Sequence, residues 1–119
     1  MPTRTSKWIR KEKRHAIYAR DGHTCAYCGC DVIAGSHVSV ERAATLDHLV
    51  AHHRGGNNGA RNLVTACVSC NSSKQDMTMR AWYKELDARG IDTNEVRAEI
   101  RRRRNRQINV AAARSRLAA

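Results

Sequence analysis

DHLVAHHRGGNNGARNLVTACVSCNSSK, residues 47–74, is the stretch on which the fold turns. Near its end stands a Cys-x-x-C pair, Cys67 with Cys70, and a second such pair, Cys25 with Cys28, lies upstream. Residues 29–66 separate the two pairs. Two thiolates from each of two turns make the tetrahedral sulfur set that zinc prefers. A redox Cys-x-x-C would not need the second pair. The spacing therefore predicts one structural zinc on Cys25, Cys28, Cys67 and Cys70, closed to water and without a catalytic role. The chain between the pairs must leave the metal and return to it, so whatever it carries is presented near one fixed point.

The composition calls for such a staple. At 119 residues without a single Phe, the chain has little apolar material for a core. Five cysteines in this pattern suit a metal better than a disulfide framework, which points to a reducing, cytoplasmic setting. Cys30, the odd one, is expected to be a small buried thiol. The start, MPTRTSKWIRKEKR, holds no apolar run for a signal peptide or a membrane span, and no membrane partner is expected. The formal charge is +11 and the pI about 10.2. Basic residues gather at the ends: Arg4, Lys7, Arg10, Lys11, Lys13 and Arg14 at one, and Arg97, Arg101, Arg102, Arg103, Arg104 and Arg106 at the other. That distribution predicts a polyanion partner, most simply nucleic acid, although any single charge run also reads as a solvated face. Nothing in the sequence sets an oligomeric state.

The pattern predicts a mixed α+β chain read as one domain over residues 1–119. A basic helix is expected over 7–20, with Trp8, Ile9, Ala16 and Ile17 sharing part of a face and Asp21-Gly22 ending it. His37–Glu41 alternates like a strand, Ala44–Leu49 is a second candidate, and the two are expected to pair through Arg42 and Ala43. Residues 54–60, RGGNNGA, predict a mobile loop with nothing regular in it. Leu63–Ala66 is β-prone, and a helix is expected to start at the second knuckle, Cys70–Asp76. Thr78 caps a helix over 79–89 carrying Trp82 and Leu86, closed by Gly90. Asp92 with Glu95 forms a capping box for a last helix over 93–110, expected on the surface and fraying past Val110.

The loop between the knuckles carries groups suited to phosphodiester hydrolysis. That reaction needs a base for the attacking water and a cation for the charge growing on phosphate and leaving oxygen. A histidine such as His48 suits the first task, and Asp47, a hard oxygen ligand, suits the second. Adjacent strand residues point to opposite faces, and only an irregular strand end brings both into one site. Each residue also has a plain structural role open to it: Asp47 as a turn cap, Asn62 bonded to local backbone, Asn71 as a helix N-cap. His52 and His53 read as exposed loop histidines.

Taken together, DHLVAHHRGG, then NLV, then CxxCNxxK resembles the HNH endonuclease family, the zinc-containing type with a ββα-metal (His-Me finger) core, over about residues 25–74. The resemblance implies a core over about 25–76 with flanking helices. It implies that His48 is the general base, that Asp47 ligates a catalytic Mg2+ or Mn2+, and that Asn62 braces the loop holding the base. Asn71 stands at the last position of the family name, which makes this an HNN variant whose amide oxygen would be a metal ligand. The activity implied is hydrolysis of DNA, leaving a 5′-phosphate and a 3′-hydroxyl, as in HNH proteins of bacteria and phages. Arg54, Lys74, Arg101, Arg102, Arg103 and Arg104 are expected to contact nucleic acid. Two alternatives stay open: a non-catalytic zinc-stapled nucleic-acid-binding module, and an RNA-directed nuclease.

Overall fold

The computed structural model describes residues 9–35 and 40–118. The central unit is an antiparallel pair, β1 (Ala44–His48) and β2 (Leu63–Cys67), in the register Ala44↔Cys67, Leu46↔Thr65 and His48↔Leu63. All of β2 is buried, so it packs on both faces. Helix α1 (Lys11–Arg20) covers one face, where Ile17, Leu63, Leu46 and Ile9 meet. The zinc-knuckle segment around Cys25–Tyr27, with α2 (Val68–Lys74), α3 (Met79–Ala88) and α4 (Thr93–Asn105), packs with Val64 and Ala66 on the other. A last helix, α5 (Val110–Ala118), lies on α1. This is the expected small α+β layout, a two-stranded sheet with helices around it. No helix among the described residues is long and apolar enough to cross a membrane.

Several boundaries follow directly from local chemistry. At the end of α1, Gly22 adopts φ 65° and the Gly22 and His23 amides close onto the carbonyls of Ala19 and Tyr18. Thr78 Oγ1 accepts from Ala81 N at 3.1 Å and starts α3, whose Trp82 and Leu86 are fully buried one turn apart. Asp92 Oδ1 accepts from Asn94 N and Glu95 N and starts α4. At α2 the cap is a thiol: Cys67 Sγ accepts from Cys70 N.

The structure corrects four expectations. The first helix begins at Lys11, not at residue 7, and residues 1–8 lie outside the described residues. Among the described residues there is no hairpin through Arg42 and Ala43: residues 36–39 lie outside them, Val40–Arg42 is a 3-10 turn, and β1 pairs with β2. What adjoins β1 there is Ile33, bridged to Ala43 in parallel. The last helix does not run to 110. It stops at Asn105, and Asn109 Oδ1 accepts from Ala112 N to cap a new helix, with Ile108 and Ala113 tucked inward. Nor is α4 a surface helix, since Val96, Ile100 and Arg103 are buried on it.

Asp21 joins three of these elements from a fully buried position. Its carboxylate accepts from Arg20 at 2.6 Å and 3.1 Å and from the Thr65 amide at 2.8 Å, with Arg103 Nη1 3.8 Å away. Arg20 also donates to the carbonyls of Ala60 and Leu63, and Arg103 to Thr24. A charge buried this deeply is tolerated only when fully paired. Asp21→Asn should therefore destabilise the protein by about 3–5 kcal/mol in chemical denaturation. A loss near zero would show that Asp21 does not tie α1, β2 and α4 together.

Candidate active site

The two knuckles converge. The sulfurs of Cys25, Cys28, Cys67 and Cys70 all lie within 4.8 Å of one another, with Cys28 and Cys67 3.8 Å apart. A tetrahedron with zinc–sulfur bonds of about 2.3 Å has edges of about 3.8 Å, so the donor set fits zinc. Amides of Tyr27 and Cys70 donate to the sulfurs of Cys25 and Cys67 at 3.4 Å each, which favours thiolates. Hydrogen bonding from Cys70 holds Cys25 down at about 4, and the same contact pushes Cys70 far up. Thiols packed this closely cannot all ionise without a cation between them. Gly29, at φ 78°, supplies the tight turn of the first knuckle. Cys30 is exposed, not buried as expected, because the chain leaves the knuckle toward solvent.

The strand from Ala44 to His48 is regular to its end, so alternation holds and Asp47 and His48 leave it on opposite faces. Asp47 is buried on the α2 side. Its carboxylate takes a short hydrogen bond from the Tyr27 hydroxyl and an ion pair from Lys74 Nζ at 3.2 Å. Lys74 Nζ also donates to the His48 carbonyl at 3.0 Å. Burial pushes the Asp47 carboxyl up, against the pull of Lys74 and Tyr27. Asn71 lies on the same side, one turn before Lys74, and its Nδ2 donates to Thr45 Oγ1 at 2.9 Å and the Leu46 carbonyl at 3.1 Å. The amide oxygen Oδ1 has no partner among the described residues. The Asp47 carboxylate and the Asn71 amide oxygen are hard oxygens of the kind that Mg2+ or Mn2+ takes, and Lys74 now occupies the carboxylate.

His48 is half-buried, and its Nε2 lies 2.7 Å from Asn58 Oδ1. An oxygen can only accept, so Nε2 carries the proton and Nδ1 is left as the acceptor. Asn62 sits at the far end of the loop, immediately before β2. Its Oδ1 accepts from Val50 N at 2.9 Å, and its Nδ2 donates to the carbonyls of Val50 and Asn57. One side chain thus ties both arms of the loop that follows His48. The loop is less irregular than RGGNNGA suggested, with 3-10 turns at His52–Arg54 and Ala60–Asn62. Gly56 is required within it, since a Cβ there would fall 1.8 Å from the Val50 carbonyl oxygen.

Two expected nucleic-acid contacts sit elsewhere. Lys74 is 1% exposed and faces Asp47, and Arg103 is 2% exposed and faces Thr24 and Glu99. Both have long side chains whose charge finds an internal acceptor before it reaches solvent. Arg54, Arg101, Arg102 and Arg104 are exposed, as are His52 and His53. Sequence reasoning missed Tyr27, Asn58 and Thr45. Tyr27 sits inside the CAYC knuckle, and only that placement hinted that its hydroxyl would reach the loop.

The chain is similar to known endonucleases. The family model for HNH endonuclease matches residues 25–77. The chain is 28% identical over 96 residues to the CRISPR-associated endonuclease Cas9 of Corynebacterium diphtheriae, and 29% identical over 92 residues to that of Actinomyces naeslundii. These alignments cover 80% and 76% of this chain, but the chain spans only 8% of the length of each relative. Among solved structures, the Type II-C Cas9 enzyme from Actinomyces naeslundii overlaps 81% of this chain and 11% of its own, at 28% identity and a TM-score of 0.47.

Two expected outcomes follow. Elemental analysis of purified protein should find about one zinc per chain, and stripping it with a chelator should unfold the protein, since binding and folding are linked at such sites. Soluble, folded protein without zinc would exclude the staple. Lys74→Met should destabilise by about 3–5 kcal/mol near neutral pH, because a buried carboxylate is left alone. Without Lys74, burial raises the Asp47 carboxyl further, so the protonated acid becomes the stable buried form. The deficit should shrink as pH falls below that raised value and grow as pH rises through it. A deficit independent of pH in denaturant melts would contradict the pairing.

Proposed function

We propose, from the match of residues 25–77 to the HNH endonuclease family model, that the chain acts as a DNA endonuclease, hydrolysing phosphodiester bonds with His48 as general base. The observation that carries the reading is the set of oxygens around the end of β1. Asp47 and Asn71 offer a carboxylate and an amide oxygen on the α2 side, and His48, the last residue of β1, would turn its imidazole round the strand end to meet a phosphate held there.

His48 would take the proton from the attacking water at Nδ1, with Asn58 on Nε2 keeping the ring in that tautomer. Asn62 would hold the loop so that the ring stays at the strand end. Mg2+ or Mn2+, when held by Asp47 and Asn71, supplies positive charge for the phosphate and its leaving oxygen. Lys74, now ion-paired with Asp47, would give up that contact to admit it and retain its bond to the His48 carbonyl. Arg54, Arg101, Arg102 and Arg104 would meet backbone phosphates outside the site. The setting that suits reduced cysteines would be the cytoplasm of a bacterial or phage-infected cell. The Asp47–Lys74 pair favours a second reading, a nucleic-acid-binding module without catalysis, since the ammonium already neutralises the carboxylate.

Supercoiled plasmid with Mg2+, Mn2+ or EDTA separates the two. Cutting should require the divalent ion, and His48→Ala should lower the rate by about 10²- to 10⁴-fold with DNA binding and melting temperature kept. Asn71→Ala should raise the metal concentration for half-maximal cutting. Binding without cutting under every condition would favour the module, and an unchanged rate in His48→Ala would remove it as the base.

A further inference from the structure

Helix α4 sorts its arginines. Arg102 and Arg103 pair with Glu95 and Glu99 along one side. Arg97, Arg101 and Arg104, at i, i+4 and i+7, share another face and make no ion pair among the described residues. That face closes onto the 3-10 turn Ala60–Asn62, which adds Arg61, and the space between them is a cavity of about 230 Å³. Four guanidiniums line it, with Tyr83 and Asn105, and no acidic side chain does.

Three of the four are positioned by the protein itself. Arg61 Nη1 donates to the Arg104 carbonyl at 2.9 Å and to Asn105 Oδ1 at 3.1 Å, while Arg104 Nε donates to the Arg61 carbonyl at 2.6 Å. The exchange fixes both side chains and leaves their remaining N–H groups without a partner among the described residues. Arg97 lies flat on the Tyr83 ring, 3.8 Å from its centroid. Like charges held at helical spacing are destabilising unless something offsets them. Planar forks with free donors in a concave site match the oxygens of a phosphate, which accepts them in pairs.

We propose that this cleft is a phosphate-binding cradle, separate from the Asp47–Asn71 oxygens and taking either a phosphodiester of a nucleic-acid strand or free phosphate. Arg61 immediately precedes Asn62, the residue that ties the loop after His48. A strand phosphate held here would therefore be anchored one residue from the brace of that loop. Only this strand form of the inference rests on the nuclease reading.

The test uses full-length, zinc-loaded protein carrying His48→Ala, so that no substrate is consumed, with NMR of the arginine Nε–Hε groups. Inorganic phosphate should shift Arg61, Arg97, Arg101 and Arg104 together and to saturation. A short DNA duplex titrated separately should shift the same set if the source is a strand. Arg97→Gln with Arg101→Gln should abolish the phosphate response of Arg61 and Arg104 and lower the salt slope of duplex binding by about 2. Arg114→Gln with Arg116→Gln removes the same charge from α5 and should leave the phosphate response intact. Shifts with phosphate alone would assign free phosphate as the ligand. No saturable shift with either probe, or equal loss in the α5 variant, would overturn the cradle. Phosphate binding here, together with protein that keeps His48 and never cuts plasmid, would keep the cradle and lose the nuclease.

Discussion

Four sulfurs within 4.8 Å of one another bring together the two ends of a long excursion of chain, and the remainder of the molecule depends on that closure. Cys25 and Cys28 come from the segment after α1, and Cys67 and Cys70 from the junction of β2 and α2. Fixing them sets where β2 must end and where α2 must begin. It also places Tyr27 against Trp82, with ring centroids 5.5 Å apart, and so brings α3 onto the sheet. A chain without Phe gains from this knot what a larger apolar core would otherwise provide.

A second constraint is electrostatic. Asp47 is buried beside Lys74, and burial raises its carboxyl while the ammonium draws it down. Lys74 stands between that carboxylate and the His48 carbonyl, two oxygens that a divalent cation would also seek. The proposed chemistry thus becomes a competition between an ammonium and a metal ion for the same charge. Such a pair keeps the carboxylate ionised and poised while no metal is held, at the cost of desolvating both partners.

Much of this was legible in the residues. Paired Cys-x-x-C motifs have one economical use, and they are found converged. Thr78 and Asp92 cap the helices expected of them, because a short polar side chain before a periodic run has a local job that tertiary packing seldom overrides. Asn62 was singled out through the family resemblance, and it makes three bonds to the loop after His48. What was not legible depended on distance. Nothing local marks Arg103 or Lys74 as buried: Lys74 finds Asp47 far away in sequence, and Arg103 adds the distant Thr24 to its local partner Glu99. The break at Asn105 escaped because RRRRNRQ carries no Pro or Gly, and Asn109 works as a cap only once Ile108 has been drawn inward. Alternation of Asp47 and His48 could be stated but not resolved until the strand proved regular to its end.

The central claim is that Asp47 exchanges the Lys74 ammonium for a divalent ion shared with Asn71. Anomalous diffraction from crystals soaked in Mn2+, collected beside the zinc edge, measures that directly. The account predicts zinc among the four cysteines and a separate manganese peak about 2.1–2.2 Å from an Asp47 oxygen and Asn71 Oδ1, with the Lys74 ammonium displaced from the carboxylate. Manganese absent from that position, with Lys74 still seated on Asp47 at saturating Mn2+, would contradict it.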